Sequence, residues 1–242
     1  LYILFASLSD PLKVMQSGSL LLWPQGINTG SYEMVFKNPM ILTGYRNTII
    51  YVVAGTAINI VMTSFGAYVL SRKHLYGRRL FMFLIAFTMF FSGGLIPLYL
   101  LINRLNMVNT VWAIIIPSAI STWNLIVMRT SFEGIPDSMV ESAKIDGGND
   151  FTILFRIILP LSMPIVAVMI LFYSVGHWNS WFGAMIYLRE RNMYPLQLIL
   201  REILITNSVE TMTAGLGGDI APIAENIKYA TIIVATLPIL LV

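Results

Sequence analysis

Four apolar runs, residues 47–70, 80–102, 111–128 and 162–187, are nearly free of charge and leave this chain few ways to fold. Crossing the hydrocarbon core of a bilayer takes about 20 apolar residues in a helix. Each run is long and lacks alternation, which favours helix over strand, and a helix bonds its own backbone where no water is present. Composition agrees: 57% of the 242 residues are hydrophobic, 11% are charged, and mean hydropathy is +0.76. Soluble domains carry about 25% charged residues, so lipid must act as solvent for much of this surface. Residues 1–8 and 227–242 read as pieces of two further helices, truncated here. The expectation is an all-α membrane protein with about six transmembrane helices. A signal-peptide remnant is the other reading of residues 1–8, although no small-residue cleavage site follows them.

Several chemistries are excluded at this level. The chain has no Cys, and its two histidines, His74 and His177, lie far apart in sequence, which removes thiolate sites and argues against a His-based metal cluster. The net charge of +3 is small, and nothing resembles a basic nucleic-acid surface. Its distribution sets orientation: Arg72, Lys73, Arg78 and Arg79 crowd the turn 72–79, whereas the next connector, 103–110, holds only Arg104. Lys and Arg in short loops favour the cytoplasmic side. The turn 72–79 and the loop 129–160 are therefore expected inside, and the loops 9–45, 103–110 and 188–226 outside. No boundary divides the chain, which reads as a single transmembrane domain over residues 1–242.

Residues 134–164 are too polar to cross and too organised to be slack. Pro136 suits a first helical turn, and Asp137 favours the positive end of its dipole. Met139, Val140 and Ala143 form an apolar stripe with Glu141 and Lys144 beside it, and the Gly147-Gly148 pair ends the helix. Asn149 or Asp150 can cap a second helix through 151–159, which Pro160 interrupts. Two readings stand on the residues alone: a knob fitting a partner's groove, with Glu141 and Asp146 on its rim, or an amphipathic elbow on the membrane surface.

The order Glu141-Ser142-Ala143, three residues, Gly147, nine residues, Ile157, one residue, Leu159-Pro160 resembles the EAA loop of ABC importer permeases, with Ser142 in place of Ala as the one departure. The resemblance implies a MetI-like fold and a coupling helix that fits a cleft on a separate ATPase, through Met139, Glu141, Ser142, Ala143, Asp146, Gly147, Leu159 and Pro160. The chain holds no G-x-x-x-x-G-K-[ST] loop, so ATP and Mg are expected on that partner and no cofactor on this chain. Tyr45-Arg46-Asn47-Thr48, Gly66-Ala67-Tyr68 with Leu70-Ser71-Arg72, Gly134-Ile135-Pro136 and Trp178-Asn179-Ser180-Trp181 are similar to the carbohydrate-uptake branch, the second permease of maltose-type oligosaccharide importers. That implies a non-catalytic subunit of a bacterial or archaeal cytoplasmic membrane. Its expected partners are a second homologous permease, an ATPase dimer, an extracytoplasmic solute-binding protein, the sugar and the lipid bilayer.

Candidates for the substrate path are His177, Trp178, Asn179, Ser180 and Trp181, with Trp123, Asn124 and Asn59. Trp rings stack on sugar faces, and Asn and Ser supply directed hydrogen bonds. An interfacial aromatic belt is the rival reading of the tryptophans. Helix packing competes for Asn59, Thr63 and Ser64. Ser92-Gly93-Gly94 with Pro97 reads as a kink, Arg129 and Arg46 as side chains snorkelling to the interface, and 213–218 as either a contact for the binding protein or a slack connector. A secondary transporter would need intramembrane acidic or basic residues for ion coupling, and these runs nearly lack them. A membrane-embedded enzyme would need His or Cys beside Glu133, Asp137, Glu141, Asp146 and Asp150, and neither joins them. A non-sugar ABC importer remains the nearest alternative.

Overall fold

Backbone N–H and C=O groups at membrane depth must be bonded internally, and regular structure among the described residues is accordingly helical. The computed structural model describes residues 2–16, 21, 23–205 and 220–240. In chain order the helices are α1 (Tyr2–Leu8), α2 (Pro11–Gln16), α3 (Gly30–Lys37), α4 (Pro39–Ser71), α5 (Arg78–Phe90), α6 (Leu95–Arg104), α7 (Trp112–Ile115), α8 (Thr122–Glu133), α9 (Asp137–Ile145), α10 (Asp150–Ile153), α11 (Leu159–Leu161), α12 (Met163–Trp178), α13 (Phe182–Tyr187), α14 (Leu196–Ile205) and α15 (Ile220–Leu240). An isolated antiparallel bridge pairs Ser9 with Ile27.

Among the described residues, only α4 is one unbroken helix long and apolar enough to cross a membrane; three bent pairs supply up to three more spans, and 226–239 is a shorter apolar helix. At 33 residues α4 is about 50 Å long, well beyond the roughly 30 Å of hydrocarbon. It starts eight residues before the apolar run does. The start signal is Asn38-Pro39: the Asn38 side chain accepts the Met40 N–H at 2.9 Å, and proline is preorganised for a first turn. The expected outer loop 9–45 therefore gives way to α2, α3 and the first turns of α4.

The other three runs are not single unbroken helices, and the kink read at Ser92-Gly93-Gly94 is one of the breaks. Run 80–102 is α5 and α6, bent by 111° across Phe91–Gly94, where Gly94 takes a positive φ of 84°. Run 111–128 is α7 continued by a 3₁₀ turn, Ile116–Ser118, and then α8 at 50°. Pro117 tightens the end of the first piece, and Ser121 caps the second by accepting the Asn124 N–H. Run 162–187 ends as a helix at Trp178, and α13 is separate. Its partner in a bent pair lies upstream, in Asp150–Leu161, at 87°. Pro160 does not interrupt that helix where expected. A π-helical turn, Leu154–Ile158, precedes it and widens the coil where proline's missing N–H and its ring would disturb the i−4 carbonyl.

Residues 50–178 form one compact unit, and the break between α7 and α8 is closed by side chains. Asn59 Nδ2 donates to the Ser118 carbonyl at 2.6 Å. The Ser121 N–H donates to the Tyr173 hydroxyl at 3.1 Å, and Thr63 shares a 2.7 Å bond with the same hydroxyl. His177 Nε2 lies 2.6 Å from Asn59 Oδ1, and Thr56 and Ser174 hydroxyls lie 3.3 Å apart. Beneath this network pack Ala67, Leu125, Met128, Phe132, Ile153, Ile158 and Met169, all buried.

Residues 1–49 and 179–242 form the second unit. Here α1, α2, α3 and α14 pack on α15, with Ser7 bonded to the Tyr32 hydroxyl at 2.7 Å and Asn226 donating to the Ser9 carbonyl at 2.7 Å. The motif 45–48 has a structural task in this unit. Tyr45 donates to the Val234 carbonyl, Asn47 to the carbonyls of Asn192 and Tyr194 at 2.7 and 3.1 Å, and Thr48 accepts the Leu196 N–H at 2.9 Å.

Gly55 lets the His177 ring lie flush against α4: a Cβ there would come within 2.5 Å of Nε2, whereas one on Gly176 would meet nothing within 4 Å. Alanine gains about 1 kcal/mol of helix propensity over glycine, but overpacking costs about 1–3 kcal/mol. Gly55→Ala is expected to lower the unfolding midpoint in detergent by about 2–4 °C, and Gly176→Ala to hold or raise it. Equal midpoints for the two variants would show that the Gly55–His177 contact does not matter to stability.

Candidate functional site

The segment singled out by its motif is a helix–turn–helix. Pro136 stands at the N-cap of α9, one position ahead of the first turn, and Asp137 follows at the positive end of the dipole. Lys73 Nζ donates to Asp137 at 2.7 Å. That bond, and then the charge behind it, hold the Asp137 carboxyl below the usual aspartate range. The pair is exposed, so it orients more than it stabilises.

Gly147 ends α9 in the left-handed conformation, φ 82°. Its N–H bonds the Lys144 carbonyl at 3.0 Å, and the Gly148 N–H bonds Ala143 at 2.8 Å, the two reversed bonds of a Schellman turn. Gly148 is needed as well, because a Cβ there would lie 2.8 Å from the Ala143 carbonyl oxygen. Between the two capping candidates, Asn149 serves: its side chain accepts the Thr152 N–H at 2.8 Å. Asp150 instead accepts the Tyr68 hydroxyl at 2.8 Å, and the Arg72 guanidinium lies over the Tyr68 ring at 4.8 Å. The second arm is thereby tied to the end of α4.

The apolar stripe of α9 splits. Val140 is buried and Ala143 packs inward against the same cluster, as does Leu159. Met139, Glu141, Ser142, Asp146, Gly147 and Pro160 are exposed. Ile145 is 86% exposed and forms an apolar tip that the sequence pattern did not single out. Sequence reasoning also missed the role of Arg129, which does not snorkel. Its Nε donates to the Leu70 carbonyl at 3.2 Å, one of the last carbonyls of α4 that lack a helical partner. Its guanidinium pairs with Glu133, which Arg78 also engages.

The substrate-path candidates fall in both units. His177 and Asn59 are buried and bonded to each other. Asn124 is buried on α8, while its neighbour Trp123 is 60% exposed. In the other unit Asn179 is exposed and Ser180 half-buried, and Trp181 carries the Arg201 guanidinium over its ring at 4.6 Å. Trp178 is half-buried at the end of α12. Residues 213–218 lie outside the described residues.

A left-handed conformation costs about 1–2 kcal/mol in a residue with a Cβ. Gly147→Ala is therefore expected to speed hydrogen exchange at the Gly147 and Gly148 amides by about 5–30-fold. Unchanged protection would mean that another feature ends α9.

The profile of the family described as binding-protein-dependent transport system inner membrane component matches residues 63–242. The polygalacturonan/rhamnogalacturonan transport system permease protein YtcP of Bacillus subtilis (strain 168) is 40% identical, over 100% of this chain and 85% of the relative. Protein LplC of the same organism is 38% identical over 100% of this chain and 82% of its own length. Among solved structures, a chain from a bacterial ABC transporter involved in the import of the acidic polysaccharide alginate matches with a TM-score of 0.91 and 34% identity, covering 99% of this chain and 85% of that one. The similarity runs over nearly the full length of this chain, and the chain belongs to the family of inner-membrane components of binding-protein-dependent transport systems.

Proposed function

We propose that this chain is the permease subunit of an ATP-driven importer for carbohydrate, with oligosaccharides as the substrate class. The observation that carries the reading is α9: a short helix with an exposed Met139–Glu141–Ser142 face, closed at Gly147 and set off from the apolar spans. It has the form of a plug for a cleft on a partner. Relatives named for polygalacturonan/rhamnogalacturonan and arabinooligosaccharides support the substrate class.

In this reading ATP and Mg are held by a separate ATPase dimer, and this chain does no chemistry on either. A second homologous permease completes the path, and an extracytoplasmic binding protein delivers the sugar. ATPase closure moves α9, and the Tyr68–Asp150 bond passes the motion to α4. Within residues 50–178, Trp123 and the Trp178 ring meet the sugar, while His177 and Asn59 hold the scaffold.

Affinity purification from mild detergent followed by mass spectrometry tests the assembly. A P-loop ATPase and a second permease are expected to copurify; recovery of this chain alone, where other importers stay intact, would point to a stand-alone transporter. Gly147→Asp is expected to abolish uptake while the subunit remains in the membrane at wild-type level, and normal uptake would remove α9 from the coupling path. Loss of a hydrogen bond to a charged group costs about 1.5–3 kcal/mol, so Tyr68→Phe is expected to lower sugar moved per ATP several-fold. An unchanged ratio would exclude that bond from the lever.

A further inference from the structure

The cations gathered between α4, α5 and α8 outnumber the carboxylates placed to neutralise them. Lys73, Arg78, Arg79 and Arg129 line one cavity of about 670 Å³, with Leu75 and Met82 in its wall. Asp137 takes Lys73, and Glu133 is shared by Arg78 and Arg129. Four cations less two carboxylates leaves two positive charges, and among the described residues no ion-pair or hydrogen-bond partner meets Arg79.

The backbone adds to this field. The 13-residue helix α5 begins at Arg78 with no side chain capping its N-terminus. Its dipole is positive there, so two arginines in its first turn oppose it. Such a cavity is stable when an anion occupies it. Paired guanidiniums favour phosphate, whose oxygens accept their forked N–H donors. The site lies where the chain leaves one apolar run and enters the next, the depth at which headgroups meet acyl chains, and Leu75 and Met82 give it an apolar side. We propose that this cavity binds a phosphate group, carried by an anionic phospholipid of the leaflet on the arginine-rich side. Basic pockets between spans commonly hold such headgroups.

The test uses the full-length protein, purified in mild detergent with the subunits that accompany it, and reads bound phosphatidylglycerol by mass spectrometry. Among the described residues Arg79 has no bond partner, so Arg79→Gln should keep the wild-type unfolding midpoint. One Arg near a membrane surface contributes about 1 kcal/mol to anionic-lipid attraction, or about five-fold. Retained phosphatidylglycerol is expected to fall by about that factor in Arg79→Gln, less in Arg79→Lys, with phosphatidylethanolamine unchanged in both. A second arm adds millimolar inorganic phosphate. If it binds wild type but not Arg79→Gln, and no lipid is retained, the phosphate site holds and its source is the free anion. Equal retention of phosphatidylglycerol by wild type and Arg79→Gln, with no Arg79-dependent binding of phosphate, overturns the proposal. The readout is binding, so it fails or succeeds independently of transport.

Discussion

The bond from the Asn59 amide to the Ser118 carbonyl is what permits the apolar run 111–128 to break between α7 and α8. A carbonyl or N–H released by a break costs several kcal/mol in hydrocarbon unless something meets it. Asn59 meets the carbonyl at the end of the 3₁₀ turn, and the Tyr173 hydroxyl meets the N–H of Ser121 at the start of α8. His177 then fixes the Asn59 amide by bonding its oxygen, and Gly55 makes room for the ring. Removing one member leaves the others unpaired in a medium that supplies no replacement. The polar residues of α4 and α12 are thus committed to the scaffold before any are available for a passing solute.

With that break secured, the polar end of the same unit can carry a rigid projection. Val140 and Ala143 seat α9 on the core, and the Schellman turn stops it within one residue. Outward-facing Met139, Glu141 and Ser142 are then held by packing rather than by their own contacts, which suits a surface meant for another protein. Asp150 bonded to Tyr68, and Arg129 bonded to the Leu70 carbonyl, tie the projection to the long helix.

Local signals were legible in the sequence and distant pairings were not. Helix α9 could be read because Pro136, Asp137 and Gly147 each act on their own backbone, and a glycine with φ 82° is a feature that a Gly-Gly pair announces. The spans were visible as apolar runs, but hydropathy carries no information about direction. Gly93-Gly94 marked a kink, yet nothing in the residues fixes its 111°. The early start of α4 was written in Asn38-Pro39 and hidden by counting only apolar positions. His177 and Asn59 are 118 residues apart, and each looks locally like a polar group awaiting a ligand; only the fold shows that they satisfy each other.

The π-helical turn at Leu154–Ile158 gives the motif spacing a meaning beyond a count of letters. A π turn winds in one residue more than an α turn, and one residue on an α-helix is about 100° of rotation. The nine residues between Gly147 and Ile157 therefore encode a phase: they set which way Leu159 points relative to the turn that closes α9. A chain with one residue fewer in this interval keeps the same phase by winding the segment as plain α-helix. In aligned sequences a single gap here is then a change of winding, not a loss of the fold.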